Sequence, residues 1–170
     1  HVQPVRKGLG ISTIFNTLGP LLSPGQPEFQ MMGIANPAQG QMIAETMRDL
    51  GRGRAMVVHG AGTDEIAVHG NTLVWELKDG EISHYTVAPA ELGVDKHMLE
   101  DLRGGDGEEN AAAMRATFAG EGPTAHRDAV AANAGAMFYL YGMADSLAEG
   151  TAHAKQLLAD GSVAQWLRTH

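Results

Sequence analysis

The chain has 170 residues, enough for one domain with its own apolar core. Twelve Lys and Arg against twenty Asp and Glu give a formal charge of −8, which disfavours nucleic acid and anionic membrane surfaces as partners. There is no Cys, so a disulfide framework, a thiolate nucleophile and a zinc–sulfur site are excluded.

The chain opens on His1 rather than Met, which points to a fragment or a trimmed product. No signal peptide opens it and no apolar run reaches the length of a membrane span, so a cytoplasmic protein is expected. Low aromatic content beside abundant Ala and Gly implies helices packed closely through small residues. In residues 1–28, Val2, Val5 and Leu9 have helical spacing, Gly10 suits a helix end, and residues 13–16 form a short apolar run. Ser23, Pro24, Gly25, Gln26 and Pro27 read as a loop.

Residues 29–35 read as a buried strand, ended by Asn36-Pro37, with Pro at the first turn of a helix. Residues 41–50 are that helix, carrying Met42, Ile43, Met47 and Leu50 on one side and stopped by Gly51 and Gly53. Residues 54–58 form the next strand. Strand, helix and strand with connections this short make a βαβ unit, so the two strands are predicted to be parallel. Residues 72–77 and 81–87 flank Asp79-Gly80, a two-residue hairpin signal that sets Leu77 opposite Ile82, Trp75 opposite His84 and Leu73 opposite Thr86. This antiparallel piece belongs at the edge of the parallel sheet or beside it. A connector with a short helix around 98–102 follows. Asp106 is a candidate cap for a helix over 108–118, where Ala111, Met114 and Phe118 form the apolar side, and Glu108 and Glu109 suit the first turn. Residues 127–141 are predicted to be a buried helix with Val130, Ala134, Met137, Phe138 and Tyr141 at its spacing. Helices over 144–159 and 162–168 complete a helical C-terminal half. The fold class expected is α/β, with a mainly parallel central sheet, an antiparallel hairpin and helices packed around it.

The chemistry is expected between the strand at 54–58 and Ile66, in His59-Gly60-Ala61-Gly62-Thr63-Asp64-Glu65. Gly60 and Gly62 allow a tight turn and close approach of a ligand. In α/β sheets ligands sit at the carboxyl ends of strands, where this loop stands. Adjacent carboxylates there can hold a hard cation through oxygen, and Mg²⁺ commonly joins one or two carboxylates to a substrate phosphate. Taken alone, the stretch is more often a solvated acidic turn. The histidines form no His-Glu-x-x-His pattern, and His84 and His153 read as surface or satisfied side chains. No Gly-x-Ser-x-Gly elbow, P-loop or Gly-x-Gly-x-x-Gly is present. Arg6 and Lys7 are a basic pair beside glycines, and a guanidinium can grip a carboxylate with two prongs.

Three motifs in order carry a resemblance. Residues 1–21, His-Val-Gln-Pro-Val-Arg-Lys-Gly-Leu-Gly-Ile-Ser-Thr-Ile-Phe-Asn-Thr-Leu-Gly-Pro-Leu, resemble a signature of the anthranilate phosphoribosyltransferase family almost along their length. The glycine-flanked Asp64-Glu65-Ile66 resembles that family's metal motif. Leu102-Arg103-Gly104-Gly105-Asp106 with Asn110-Ala111, and Asn133-Ala134, resemble its C-terminal signatures. The resemblance covers essentially the whole chain. It implies an enzyme that transfers the phosphoribosyl group of phosphoribosyl pyrophosphate to anthranilate, with Mg²⁺, in tryptophan biosynthesis. It implies Asp64 and Glu65 as Mg²⁺ ligands, Arg6 as a contact to the anthranilate carboxylate, and Gly19 and Pro20 as a turn near the substrate channel. The substrate amine is itself the nucleophile, so no catalytic side chain is assigned.

Ser12 stands where the family often has a basic residue, and Thr63 where an apolar one is usual. The family's N-terminal helical domain, which carries the homodimer contact, and its glycine-rich phosphoribosyl-pyrophosphate loop have no counterpart in these residues. The chain therefore resembles the C-terminal α/β portion of the enzyme, and is expected to be inactive alone. Two other readings stay open: a non-catalytic relative of the same fold that binds nucleic acid, which calls for a basic groove, and a pyrimidine-nucleoside phosphorylase, which would lack the Arg6…Gly19-Pro20 signature.

Overall fold

In the computed structural model, residues 19–169 are described. The expected helix around Val2, Val5 and Leu9, the apolar run at 13–16 and Arg6 lie outside them. Four strands form one sheet in the order β1 (Phe29–Gly33), β2 (Arg54–Gly60), β3 (Thr72–Lys78) and β4 (Glu81–Val87). Helix α1 (Gly40–Asp49) connects β1 to β2, which pair in parallel with Phe29 opposite Arg54. This is the expected βαβ unit. The hairpin also holds its expected register, with Leu77 opposite Ile82 and Trp75 opposite His84. Asp79 and Gly80 take φ of 53° and 79°, as a two-residue hairpin turn needs. The α/β class stands. Among the described strands the sheet is mixed rather than mainly parallel, with one parallel pairing and two antiparallel, because the hairpin pairs directly onto β2 and continues the sheet outward.

Both faces of the sheet are covered. Along β2 the buried side chains alternate: Ala55 and Val57 face α1 with Ile43, Ala44, Met47 and Trp75, while Met56 and Val58 face the opposite layer. That layer is α3 (Thr124–Leu140), which brings Ala132, Ala136 and Leu140 against the strands. β1 is shorter and less buried than expected. It sits at one end of the described strand order, and only Met32 within it is fully enclosed.

After β4, 3-10 turns at Pro89–Leu92 and Leu99–Leu102 lead to α2 (Gly107–Phe118). Asp106 caps α2 as expected, accepting from the backbone N–H groups of Glu108 and Glu109 while Glu109 accepts from the Asp106 N–H. α2 packs loosely, and Met114 on its expected apolar side is 56% exposed. α3, α4 (Leu147–Ala159) and α5 (Ser162–Thr169) finish the described chain.

The face that α3 buries differs from the expected one. Ala125, Asp128, Ala131, Ala132, Gly135, Ala136 and Leu140 are enclosed, whereas Val130, Ala134, Met137 and Phe138 are half-buried and Tyr141 is exposed. The helix is covered on two sides, by the sheet and by α4, so small residues occupy its contact lines. A Cβ on Gly135 would lie 2.3 Å from the backbone nitrogen of Thr151, and one on Gly150 2.2 Å from the Gly135 carbonyl oxygen. The sheet and α3 are also joined by charge. Glu76, almost fully buried on β3, accepts hydrogen bonds from the hydroxyls of Tyr85 and Tyr139, both at 2.8 Å. Arg54 lies 3.6 Å from Glu76 and donates to the Tyr139 carbonyl at 3.1 Å. Burial first, then the Glu76 carboxylate, push the Tyr85 hydroxyl far above its ordinary range.

Candidate metal-binding loop

The loop after β2 is built from backbone constraints. Ala61 and Gly62 take left-handed φ of 47° and 96°. The Gly60 N–H donates to the Thr63 carbonyl at 3.0 Å, and the Thr63 N–H and hydroxyl return bonds to the Gly60 carbonyl at 2.9 and 2.8 Å. Gly62 thus serves the turn, as expected. Gly60 closes the same turn, but the open space at it is taken up by the chain: a Cβ there would sit 2.2 Å from the Glu65 carbonyl oxygen, where the sequence reading expects a ligand. A Cβ on Gly33, at the end of β1, would lie 1.6 Å from the Asp64 carbonyl oxygen. The backbone of both acidic residues therefore rests on glycines at the carboxyl ends of the two parallel strands.

Beyond the carboxylates, the Ile66 backbone is held from α3. Asn133 Oδ1 accepts the Ile66 N–H at 3.0 Å, and Asn133 Nδ2 donates to the carbonyls of Ile66 and Ala129, each at 3.0 Å. The buried Thr72 hydroxyl accepts the Ala67 N–H at 2.9 Å. His59 bonds the Ile34 carbonyl through Nδ1 at 2.8 Å, so it serves the scaffold.

Asp64 and Glu65 themselves are exposed. Burial of its inner part, then the neighbouring Asp64 charge, raise the Glu65 carboxyl above its ordinary range. Two like charges held together on a fixed backbone are a donor set that a divalent cation would relieve. No group of three His, Asp or Glu side chains converges on one point among the described residues. The pair fits Mg²⁺, which binds through one or two carboxylates and completes its octahedron with water and phosphate oxygens. It does not fit an all-protein cage.

A cleft of about 680 Å³ opens beside Glu65, walled by the loop, by α2 and by α3 at His126, Ala129 and Asn133. A second cleft, about 620 Å³, shares Met114 and Phe118 with it and reaches neither carboxylate. Of the other expected site residues, Gly19 and Pro20 lie in a helical turn, where the Pro20 carbonyl accepts from Gln30 at 3.0 Å. That contact is at the amino end of the parallel pair, whereas Asp64 is at its carboxyl end. Gly19 and Pro20 are therefore not gathered with the carboxylates, and Arg6 lies outside the described residues. His84 stacks on Trp75 and His153 on Phe138, with ring centroids 4.5 and 4.7 Å apart, in keeping with their reading as satisfied side chains. A further cluster escaped the sequence: nearly buried Asp128 accepts from His97 Nε2 at 2.7 Å and from Lys155 at 2.9 Å. No motif spacing links residues 31 and 27 positions apart, so only the fold reveals it.

Residues 1–164 match the model of the glycosyl transferase family, a/b domain. The chain belongs to that family. It is 70% identical over 170 residues to an anthranilate phosphoribosyltransferase of Corynebacterium aurimucosum, covering all of this chain and 49% of that protein. The crystal structure of anthranilate phosphoribosyltransferase from Thermus thermophilus superposes with a TM-score of 0.90 at 41% identity, over 99% of this chain and 50% of the other. The Saccharomyces cerevisiae enzyme in complex with PRPP and Mg superposes with a TM-score of 0.85 at 25% identity, over 99% and 49% of the two chains. This glycosyl transferase domain thus spans about half the length of the curated relatives it matches. Within the described residues, no helix is long and apolar enough to cross a membrane.

Proposed function

We propose that these residues form the C-terminal α/β half of an anthranilate phosphoribosyltransferase, a cytoplasmic homodimeric enzyme of tryptophan biosynthesis. The observation that carries the reading is the acidic loop at the carboxyl ends of β1 and β2, in a chain 70% identical to a protein of that name. Asp64 and Glu65 hold the Mg²⁺. Bound there, the cation supplies charge stabilisation to a departing pyrophosphate. The seats at Gly33 and Gly60 hold the backbone from which the two carboxylates branch, and Asp64 and Glu65 together set the charge the cation would meet. Arg6 presents a two-pronged donor to the anthranilate carboxylate, which orients the substrate amine towards the ribose. Gly19 and Pro20 shape the turn that follows that segment. No side chain is needed as nucleophile.

The test is a steady-state assay of the full-length protein with anthranilate, phosphoribosyl pyrophosphate and a Mg²⁺ titration. Asp64→Asn is expected to raise the Mg²⁺ concentration for half-maximal rate by about tenfold or more. An unchanged Mg²⁺ dependence would remove the metal assignment, and absence of phosphoribosylanthranilate from the unmodified protein would remove the activity.

A further inference from the structure

We infer that Asn133 is the positioning residue of the acidic loop: from the middle of α3 it clamps Ile66 by its N–H and its C=O and so fixes the backbone from which the carboxylates branch. The inference rests on the reading of Asp64 and Glu65 as cation ligands. Asn133 meets the N–H and the C=O of one residue, Ile66, at 3.0 Å each, as an opposing strand would. The peptide group is planar, so holding the Ile66 N–H also fixes the plane that contains the Glu65 carbonyl. That carbonyl oxygen lies against Gly60, and the Asp64 carbonyl oxygen lies against Gly33. The backbone of the pair is thereby held on three sides, and only side-chain torsions remain free. Asn is a weak helix former relative to Ala, and its third bond to the Ala129 carbonyl anchors the amide to its own helix. An amide fixed at one end and reading a peptide at the other transmits the position of α3 to the loop. Groups behind metal ligands that orient them contribute about ten- to a hundredfold in metal affinity.

The probe is Mn²⁺, standing in for Mg²⁺, titrated into the ¹⁵N-labelled full-length protein, with paramagnetic broadening of the amide signals of residues 61–67 as readout. Amide hydrogen exchange at Ile66 and the melting temperature are measured in parallel. Asp64→Asn/Glu65→Gln tests the metal reading and is expected to abolish the broadening. Asn133→Ala is expected to weaken Mn²⁺ binding by about tenfold or more and to speed exchange at Ile66. Leu158→Ala, a buried deletion between α3 and α4 away from the loop, is expected to lower the melting temperature and leave Mn²⁺ affinity unchanged. Should Asn133→Ala not fold, Asn133→Ser serves, since it removes the amide that reaches Ile66 and adds no charge beside the carboxylates. If the double carboxylate variant binds Mn²⁺ normally, the metal reading fails and the inference falls with it. If that variant loses Mn²⁺ while the Asn133 variant binds as the unmodified chain does, the positioning role alone is overturned. Equal weakening by Leu158→Ala would overturn it too, reducing Asn133 to a fold-stabilising residue.

Discussion

Asp128 shows how one residue can hold three segments together. It is 4% exposed on α3, and it takes one hydrogen bond from His97 in the connector and one from Lys155 on α4. Lys155 also donates to the Gly93 carbonyl at 2.8 Å. Burial pushes the Asp128 carboxyl up, but the bonds from His97 and Lys155 outweigh it and hold the group below its ordinary value. A carboxylate whose folded pKa lies below its unfolded one stabilises the fold fully above the unfolded pKa, about pH 3.9. That contribution is lost as pH falls through the folded value. Thermal melts from pH 7 down to pH 2 are expected to show this acid limb. Asp128→Asn is expected to flatten it, and to lower stability at pH 7 by about 2 kcal/mol, the range for hydrogen bonds to a charged group. A variant as stable as the parent at pH 7 would mean that the cluster contributes nothing to the fold.

Among the elements, those coded by local chemistry were legible in the sequence. Asn36-Pro37 starts a helical turn, Asp106 caps α2, and Asp79-Gly80 fixes the hairpin register to the residue. Each signal acts within a few positions of itself. The buried face of α3 was not legible, because periodicity counts large apolar residues and this helix is enclosed on two sides through small ones. The acidic loop lies between these cases. Its turn is legible from Gly60 and Gly62, but the clamp from Asn133 joins residues 67 apart, and the space at Gly60 is taken by the Glu65 carbonyl, which no local signal shows. The close crossing of α3 and α4 has a measurable consequence. Gly135→Ala puts a methyl against the Thr151 backbone, where no flexible side chain can give way. Urea denaturation is expected to register a loss of about 1–3 kcal/mol, against less than about 0.5 for Met114→Ala on the exposed side of α2. Equal stability of Gly135→Ala and the parent would mean that the helices separate freely.

At the scale of the molecule, open α/β sheets place their ligands at the carboxyl ends of the parallel strands, and the proposed metal-binding loop stands at that end of β1 and β2. What it presents there is two carboxylates, with no third ligand of the kind that completes a cage among the described residues. The relatives it matches are about twice as long. The 170-residue chain alone is therefore expected to give no detectable phosphoribosyl transfer in an assay with both substrates and Mg²⁺. Clear turnover would place a complete site within these residues. The −8 charge also bears on partners: a gel shift with nucleic acid at low salt is the direct check on the alternative reading, which needs a basic groove that the composition does not favour.

The hairpin turn offers a practical return. β3 runs antiparallel to β2, with Lys78 opposite Arg54 and Thr72 opposite Gly60, so Asp79-Gly80 sits at the far end of the sheet from Asp64 and Glu65. Six residue steps separate those ends, roughly 20 Å of strand. Asp79 and Gly80 are both exposed. A dye, an affinity handle or a surface tether attached at this turn would stand clear of the acidic loop and report on it from a fixed distance.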